Sequence, residues 1–153
     1  MDMLIKLYAL PAAASRPLAP GVEVRKPIGP ENSLLVDWVG EQFGKGWASE
    51  MQAALVNRPI SVFIATQGQA PVGFACYDAT ARGLFGPMGV GAKLRGQGVG
   101  EALLLACLND MRAVGYAYAV AGSVGPTAFF QRAAGAIEIA DSHPGLYRGM
   151  LRG

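Results

Sequence analysis

Val90-Gly-Ala-Lys-Leu-Arg-Gly-Gln-Gly-Val-Gly-Glu-Ala-Leu-Leu104 is the stretch that decides the fold, because it joins a predicted strand to a strongly amphipathic helix. A helix start offers unpaired backbone N–H groups and a positive dipole end, and both favour phosphate. Glycines at this point let the backbone approach an anion closely, and Arg95 adds a forked cation suited to phosphate. The stretch therefore predicts a phosphate site, although a glycine-rich turn without a ligand would carry the same glycines.

Two other phosphate-binding motifs do not fit this turn. A P-loop requires Gly-Lys-Ser/Thr at the helix start, and the turn contains no such triplet. A dinucleotide fingerprint begun at Gly96 meets Glu101 where its last glycine belongs, and one begun at Gly98 also mismatches. P-loop and dinucleotide-binding classes are therefore excluded.

Outside this stretch the sequence predicts an α/β domain with a mixed sheet. The predicted strands are Val22–Arg25, Ser61–Thr66, Val72–Tyr77, Leu84–Val90, Tyr116–Ala121, Ala136–Ala140 and a final one at Tyr147–Leu151. The predicted helices run from Pro30 to Phe43, from a capping box at Ser49 and Gln52 to about Val56, from Val99 to before Gly115, and over Thr127–Ala134.

Residues 1–21 are expected to form a lead-in to a domain at 22–153. Ala12-Ala13-Ala14 resembles a signal-peptide cleavage site, but Lys6 interrupts the apolar stretch and Asp2 carries the wrong charge for such a signal. We therefore expect an ordered or half-ordered strand in the first segment, followed by an extended stretch rich in proline.

Composition excludes several classes of function. The 153 residues are 52% hydrophobic and 16% charged, and a net charge of +2 is spread along the chain, so neither nucleic acid nor a membrane is an expected partner. Cys76 and Cys107 lie in apolar runs and are expected to be buried free thiols of a cytoplasmic protein. A single histidine, His143, is expected to be exposed, and no set of metal ligands is predicted. No stretch is apolar for the ~18 residues that a transmembrane helix needs.

Arg95-x-x-Gly98-x-Gly100 matches the Arg/Gln-x-x-Gly-x-Gly/Ala signature of GNAT acetyltransferases, and the Ala102-Leu103-Leu104 helix start also looks like that family. The order of elements from Val22 to Leu151 resembles the family fold, so the likeness covers most of the chain. The resemblance implies a mixed, mostly antiparallel sheet of about six to seven strands flanked by about four helices.

The resemblance also implies a site for acetyl-CoA as cosubstrate, without a metal. The loop amides from Gly96 to Gly100 would hold the pyrophosphate beside Arg95, and the pantetheine arm would lie between two splayed strands. The backbone N–H of Val90 would stabilise the oxyanion that forms when an acceptor amine attacks the thioester directly. The residues expected at the coenzyme are Met88, Gly89, Val90, Arg95, Gly96, Gln97, Gly98, Val99, Gly100 and Phe130.

The general acid and base are where the chain departs from the family pattern. Phe130 occupies the place where relatives often carry a tyrosine that protonates the departing thiolate, so Tyr118 and Tyr147 are the candidate substitutes. A thiol has a pKa near ~8.5, so its thiolate leaves readily and a dedicated acid is not required. Asp78 is the candidate base, with the capping of a turn as its alternative role.

The first two predicted helices carry further polar and aromatic candidates for the acceptor side. Glu41 and Glu50 are expected to be surface carboxylates, although acceptor sites tend to form near these helices in the family that the chain resembles. Trp47 is expected either to wall the acceptor pocket or to anchor the core.

The leading functional hypothesis is therefore an enzyme that transfers an acetyl group from acetyl-CoA to a primary amine, on a small molecule or a peptide. A coenzyme-binding module of the same fold without catalysis is the second hypothesis, because the tyrosine is missing. A third is an α/β protein that binds another phosphorylated ligand at the glycine-rich turn. Exposed apolar residues near the C-terminus, Tyr147, Met150 and Leu151, suggest an edge that pairs with a second copy.

Overall fold

Seven strands form one sheet in the computed structural model, which describes residues 1–152. The strands are β1 (Met3–Lys6), β2 (Val22–Arg25), β3 (Val62–Gln67), β4 (Ala70–Tyr77), β5 (Leu84–Val90), β6 (Tyr118–Ala121) and β7 (Ile137–Glu138). The α-helices are α1 (Asn32–Phe43), α2 (Lys45–Leu55), α3 (Val99–Ala113) and α4 (Thr127–Ala134), and single 3-10 turns occur at Leu7–Ala9, Gly29–Glu31, Ala92–Leu94 and Gly145–Tyr147. The strand order is β2-β3-β4-β5-β6-β1-β7, and every neighbouring pair is antiparallel except β5 with β6. This architecture confirms the predicted fold class.

The helices cover both faces of the sheet because consecutive strand residues point to opposite sides. On one face, α1 and α2 bury Leu35, Val39, Met51, Ala54 and Leu55 against Ile64, Phe74 and Cys76. On the other face, α3 and α4 bury Leu103, Leu104, Cys107, Leu108, Met111 and Phe130 against Ala65, Ala75 and Phe85. The apolar residues whose helical spacing predicted α3 are thus those of its buried face.

Both cysteines are buried free thiols, as predicted. Cys76 lies in the core on the α1–α2 face, whereas Cys107 lies in the core on the α3 face. Burial raises the pKa of both thiols, so neither is an available nucleophile.

β5 and β6 are paired at only two positions, Leu84 with Val120 and Phe85 with Ala121. β5 then continues to Val90, while β6 ends at Ala121. The two strands therefore part and leave a gap in the sheet.

A bulge in β5 coincides with the point where the strands part. Phe85 pairs with Tyr77 of β4 and Met88 pairs with Ala75, so Gly86 and Pro87 lie opposite a single β4 residue. Pro87 has no N–H to donate to a neighbouring strand, which favours the loss of pairing here.

The first strand is an interior strand of the sheet. β1 pairs with β6 from Met3–Ala121 to Lys6–Tyr118, and on its other side with β7. The chain then returns along α3, where Leu7 and Ala19 are buried in the same core as that helix. The lead-in is thus packed into the domain.

Two predicted elements differ from the structure by more than two residues. The final strand expected at Tyr147–Leu151 is absent from the described residues; a 3-10 turn at Gly145–Tyr147 takes part of its place, and Gly149 has a φ of 74°, which is outside the strand region. The second helix begins at Lys45 instead of near Ser49, because Gly44, with a φ of 104°, separates it from α1 and the chain resumes a helix at once.

Gly89→Ala is expected to lower the free energy of unfolding by about 1–3 kcal/mol, as overpacking does. The added methyl would lie 2.6 Å from Cζ of Phe43. That ring cannot move aside freely, because Trp47 and Phe74 hold it with ring centroids 5.4 and 5.5 Å away. Urea denaturation measures the change.

Gly46→Ala is the matched control, because nothing lies within 4 Å of the methyl it would add in α2. This variant should be as stable as the wild type or more stable, by up to ~1 kcal/mol. Equal stability of Gly89→Ala and the wild type would contradict the tight contact with Phe43.

Candidate functional site

The glycine-rich turn borders a cavity of about 230 Å³ at the end of β5. Three arginines and one glutamate are among its lining groups, so its formal side-chain charge is positive. Its lining residues are Arg16, Val90, Leu94, Arg95, Gly96, Gly98, Gly100, Glu101, Phe129 and Arg132. Such a cavity suits an anion.

The backbone amides beside this cavity are available to a ligand. Within residues 1–152, the N–H groups of positions 96–100 donate to no backbone carbonyl. They belong to the turn and the first residues of α3, where a helix leaves its donors unpaired. Donors of this kind, next to arginines, form an anion-binding arrangement.

The N–H of Val90 faces the gap between β5 and β6. Gly91 donates to the carbonyl of Val72 on β4 at 2.8 Å, so the neighbouring pair, which contains Val90, is of the non-hydrogen-bonded kind. The Val90 amide therefore points away from β4, and by the same alternation so does that of Met88. The carbonyl of Val90 accepts from Nε of Arg95 at 3.2 Å.

The lead-in crosses the start of α3 and closes one side of the cavity. Glu101, only 7% exposed, accepts from the backbone N–H of Ser15 at 2.6 Å and from its hydroxyl at 2.9 Å. Nη1 of Arg16 donates to the carbonyl of Gly96 at 3.2 Å. A Cβ on Gly98 would lie 2.7 Å from the carbonyl oxygen of Pro17.

Gly98 therefore has a constraint that the sequence did not indicate. Its φ is 82°, which favours glycine, and its open side faces the Pro17 backbone. A Cβ on Gly96 would instead have no atom within 4 Å. A ligand can therefore approach the backbone closely at Gly96. At Gly98 the absent side chain instead leaves room for the Pro17 backbone of the lead-in.

The residues predicted at the coenzyme divide into two groups. Those that line the cavity are Val90, Arg95, Gly96, Gly98 and Gly100. Those that do not line it are Met88, Gly89, Gln97, Val99 and Phe130.

Five lining residues were not predicted, namely Arg16, Leu94, Glu101, Phe129 and Arg132. Phe129 lines the cavity, whereas the neighbouring Phe130 packs in the core with its ring centroid 6.2 Å from that of Phe85. Phe129 and Arg132 are three residues apart on α4, so helical spacing could have indicated that they share a face.

A second cluster lies where β6 ends. The hydroxyl of Tyr147 would be 2.9 Å from a Cβ on Gly122, the residue that follows β6. Thr80 donates its hydroxyl to Oε1 of Glu50, and both residues lie close enough to Tyr147 to affect its pKa. Glu50, expected to be a surface carboxylate, is half-buried in this cluster.

Burial raises the pKa of Tyr147, and the charge of Glu50 adds to the rise, although the nearby Thr80 hydroxyl acts in the opposite direction. The phenol therefore keeps its proton at neutral pH. A protonated hydroxyl beside the gap can donate a hydrogen bond or a proton.

Aromatic rings adjoin this cluster on the α1–α2 face. Trp47 precedes Glu50 by three residues on α2, so the two side chains share one side of the helix. The Trp47 ring lies 5.4 Å from that of Phe43 and 6.0 Å from that of Phe74, and 37% of its surface is exposed. Trp47 thus packs on the core and also reaches the surface, so both of its expected roles remain open.

Asp78 and Tyr118 lie at the end of the strands opposite to the glycine-rich turn. Asp78 follows β4, whose end pairs with the start of β5, and it accepts from the N–H of Gly83 and the hydroxyl of Tyr116, each at 2.7 Å. Tyr118 begins β6 and contacts Tyr8 at 3.3 Å between the hydroxyl oxygens. Neither residue faces the gap.

A larger cavity, about 500 Å³, also lies at this opposite end of the strands and is lined by Arg58, Asp78, Arg82 and Tyr116, among others. It contains neither the glycine-rich turn nor the gap. The smaller cavity therefore better matches the chemistry predicted from the sequence.

Among the described residues, none of the helices combines the length and hydropathy needed to cross a membrane. In the same residues, no group of three His, Cys, Asp or Glu side chains is arranged to hold a metal ion.

Comparison with known proteins identifies the fold. A model of the "Acetyltransferase (GNAT) family" matches residues 32–136, which is more than half of the chain. A search of curated proteins gave no match.

Solved structures agree with the family match. A GCN5-related N-acetyltransferase from Sphaerobacter thermophilus is 22% identical with a TM-score of 0.67, over 89% of this chain and 47% of that one. A GNAT family N-acetyltransferase (YhbS) from Escherichia coli, in complex with CoA, is 18% identical with a TM-score of 0.51, over 64% of this chain and 60% of that one.

A glucosamine N-acetyltransferase region of a fungal multi-domain GH3 beta-N-acetylglucosaminidase is 12% identical, with a TM-score of 0.65, over 87% of this chain and 19% of that one. The chain thus spans about half the length of the Sphaerobacter protein and a fifth of the fungal one. At these identities the similarity establishes the fold.

Proposed function

The chain belongs to the GNAT family of acetyltransferases, and on that premise we propose that it transfers an acetyl group from acetyl-CoA to a primary amine. The observation that carries the proposal is the cavity beside the gap, which combines unpaired amides at positions 96–100 with Arg95. Coenzyme A offers a pyrophosphate for these groups and a long thin arm for the gap. The Escherichia coli relative, solved with CoA, supports this choice of ligand.

The gap between β5 and β6 supports a position for the thioester. A pantetheine arm that runs from the cavity into the gap brings the acetyl group beside the N–H of Val90, which faces the gap. This donor would stabilise negative charge on the thioester oxygen as it forms. No metal is required for that step.

The cluster of Tyr147, Thr80 and Glu50 supports the acceptor side. The amine nitrogen attacks the carbonyl carbon and gives a tetrahedral oxyanion; the carbon–sulfur bond then breaks, and coenzyme A departs as a thiolate. Glu50 receives the proton that the amine loses, and Tyr147 donates a proton to the thiolate. Removal of the amine proton is the larger demand, since a lysine-like amine has a pKa of ~10.4.

Acetyl-CoA is expected to raise the melting temperature, because a ligand that binds only the folded state adds ~2.7 kcal/mol at a hundredfold excess over its Kd. Arg95→Ala should remove most of this shift. Lys93→Ala is the control, since this exposed residue lies in the same turn but does not line the cavity. A full shift in Arg95→Ala would contradict the proposed phosphate site.

Tyr147→Phe is expected to lower kcat by roughly tenfold to a hundredfold, at the low end of general acid catalysis because a thiolate leaves readily. Tyr118→Phe is the matched control and should keep the wild-type rate. Release of free thiol, measured across a panel of primary amines, gives the rate. Unchanged turnover in Tyr147→Phe would restrict this tyrosine to a structural role.

Glu50→Gln is expected to lower kcat/KM by at least about tenfold and to shift the rise of the rate to higher pH, because the amine would lose its proton acceptor. Glu41→Gln, on the exposed surface of α1, is the control and should keep the wild-type pH profile. If coenzyme binds but no amine in the panel is acetylated by the wild type, the chain is instead a coenzyme-binding module without catalysis.

A further inference from the structure

We propose that the lead-in is part of the coenzyme site, and that Arg16 binds the pyrophosphate of coenzyme A together with Arg95. The inference rests on the proposed function, and it assigns a role to a residue outside the range 32–136 that matches the family model. Its basis is the position of Ser15, Arg16 and Pro17 across the start of α3.

The lead-in is fastened to the helix by a buried carboxylate. Both oxygens of Glu101 are used, one by the backbone N–H and the other by the hydroxyl of Ser15. Because Glu101 is only 7% exposed, this contact is sheltered from water and costs the lead-in much of its freedom. The residue next to Ser15 is therefore held beside the glycine-rich turn.

Arg16 is directed toward the turn. Its Nη1 donates to the carbonyl of Gly96 at 3.2 Å, and its side chain lines the cavity together with Arg95 and Arg132. One bond to Gly96 leaves other N–H groups of the guanidinium available, since an arginine carries five donors. These donors can reach an anion that approaches the amides of the same turn.

The charge balance of the cavity favours an additional cation at the start of α3. Glu101 brings a negative charge to the start of α3, where a phosphate group would be repelled. Its two hydrogen bonds with Ser15 satisfy the carboxylate without neutralising it. Arg16 offsets that charge at the place where the pyrophosphate would lie.

The test compares the affinity for coenzyme A, dephospho-coenzyme A and pantetheine, measured by calorimetry. Arg16→Ala should weaken the binding of both phosphorylated ligands by roughly tenfold to a hundredfold, as the loss of a charged hydrogen bond does. Pantetheine, which has no pyrophosphate, should bind the variant and the wild type alike. Arg16→Lys should recover part of the loss, and the salt dependence of binding should be smaller in Arg16→Ala than in the wild type.

Arg112→Ala is the matched control, because this exposed arginine lies in the last turn of the same helix, away from the cavity. Wild-type affinity of Arg16→Ala for coenzyme A would overturn the inference. So would a loss confined to coenzyme A with dephospho-coenzyme A unaffected, because Arg16 would then contact the 3′-phosphate. Failure of the wild type to bind coenzyme A would instead overturn the proposed function, so the two failures are distinguishable.

Discussion

β5 and β6 run side by side through two residue pairs and then part, and the rest of the site depends on that parting. In a continuous sheet, the N–H of Val90 would donate to a carbonyl of β6. Because β6 ends at Ala121, this donor faces an opening instead. The same opening leaves Gly122 bare on the side that the Tyr147 hydroxyl approaches. The interrupted pairing of β5 and β6 thus frees the Val90 N–H, leaves space beside it and opens access to the cluster of Tyr147, Thr80 and Glu50.

Local sequence signals were sufficient for the scaffold around this opening. The apolar period of α3, the alternation in β5 and the glycines between them depend on neighbours within one or two turns, so a single sequence carries them in full. The α4 bounds, Thr127–Ala134, were also predicted, because Gly135 ends that helix in a left-handed conformation. Arg95, Gly96 and Gly100, which the motif in this short stretch predicted at the coenzyme, all line the smaller cavity.

Contacts that distant segments make at the site could not be predicted in this way, although Tyr147 itself was named as a candidate acid. Arg16 lies in a proline-rich stretch without periodicity, and its partner Gly96 is 80 residues further along the chain. The sequence around Glu50 is typical of an exposed helix carboxylate. The hydrogen bond that it accepts from Thr80, 30 residues later, leaves no local signal. The Tyr147 segment suggested a strand by its apolar residues, but glycines at 145 and 149 have positive φ and turn it instead. Long-range contacts of irregular segments leave little trace in local sequence.

The interior position of β1 has a consequence for how the chain acquires its structure. Its partners are far along the sequence, since Met3 pairs with Ala121 on one side and with Glu138 on the other. During synthesis β1 is made before β6 and β7, so both of its edges stay unpaired until those two strands exist. In contrast, β3, β4 and β5 can pair through short connections. Closing so long a loop is entropically costly, and high contact order slows folding. Although β1 is made before its partners, it can pair only after β6 and β7 exist, so we expect the half of the sheet beyond the opening to form after β3, β4 and β5.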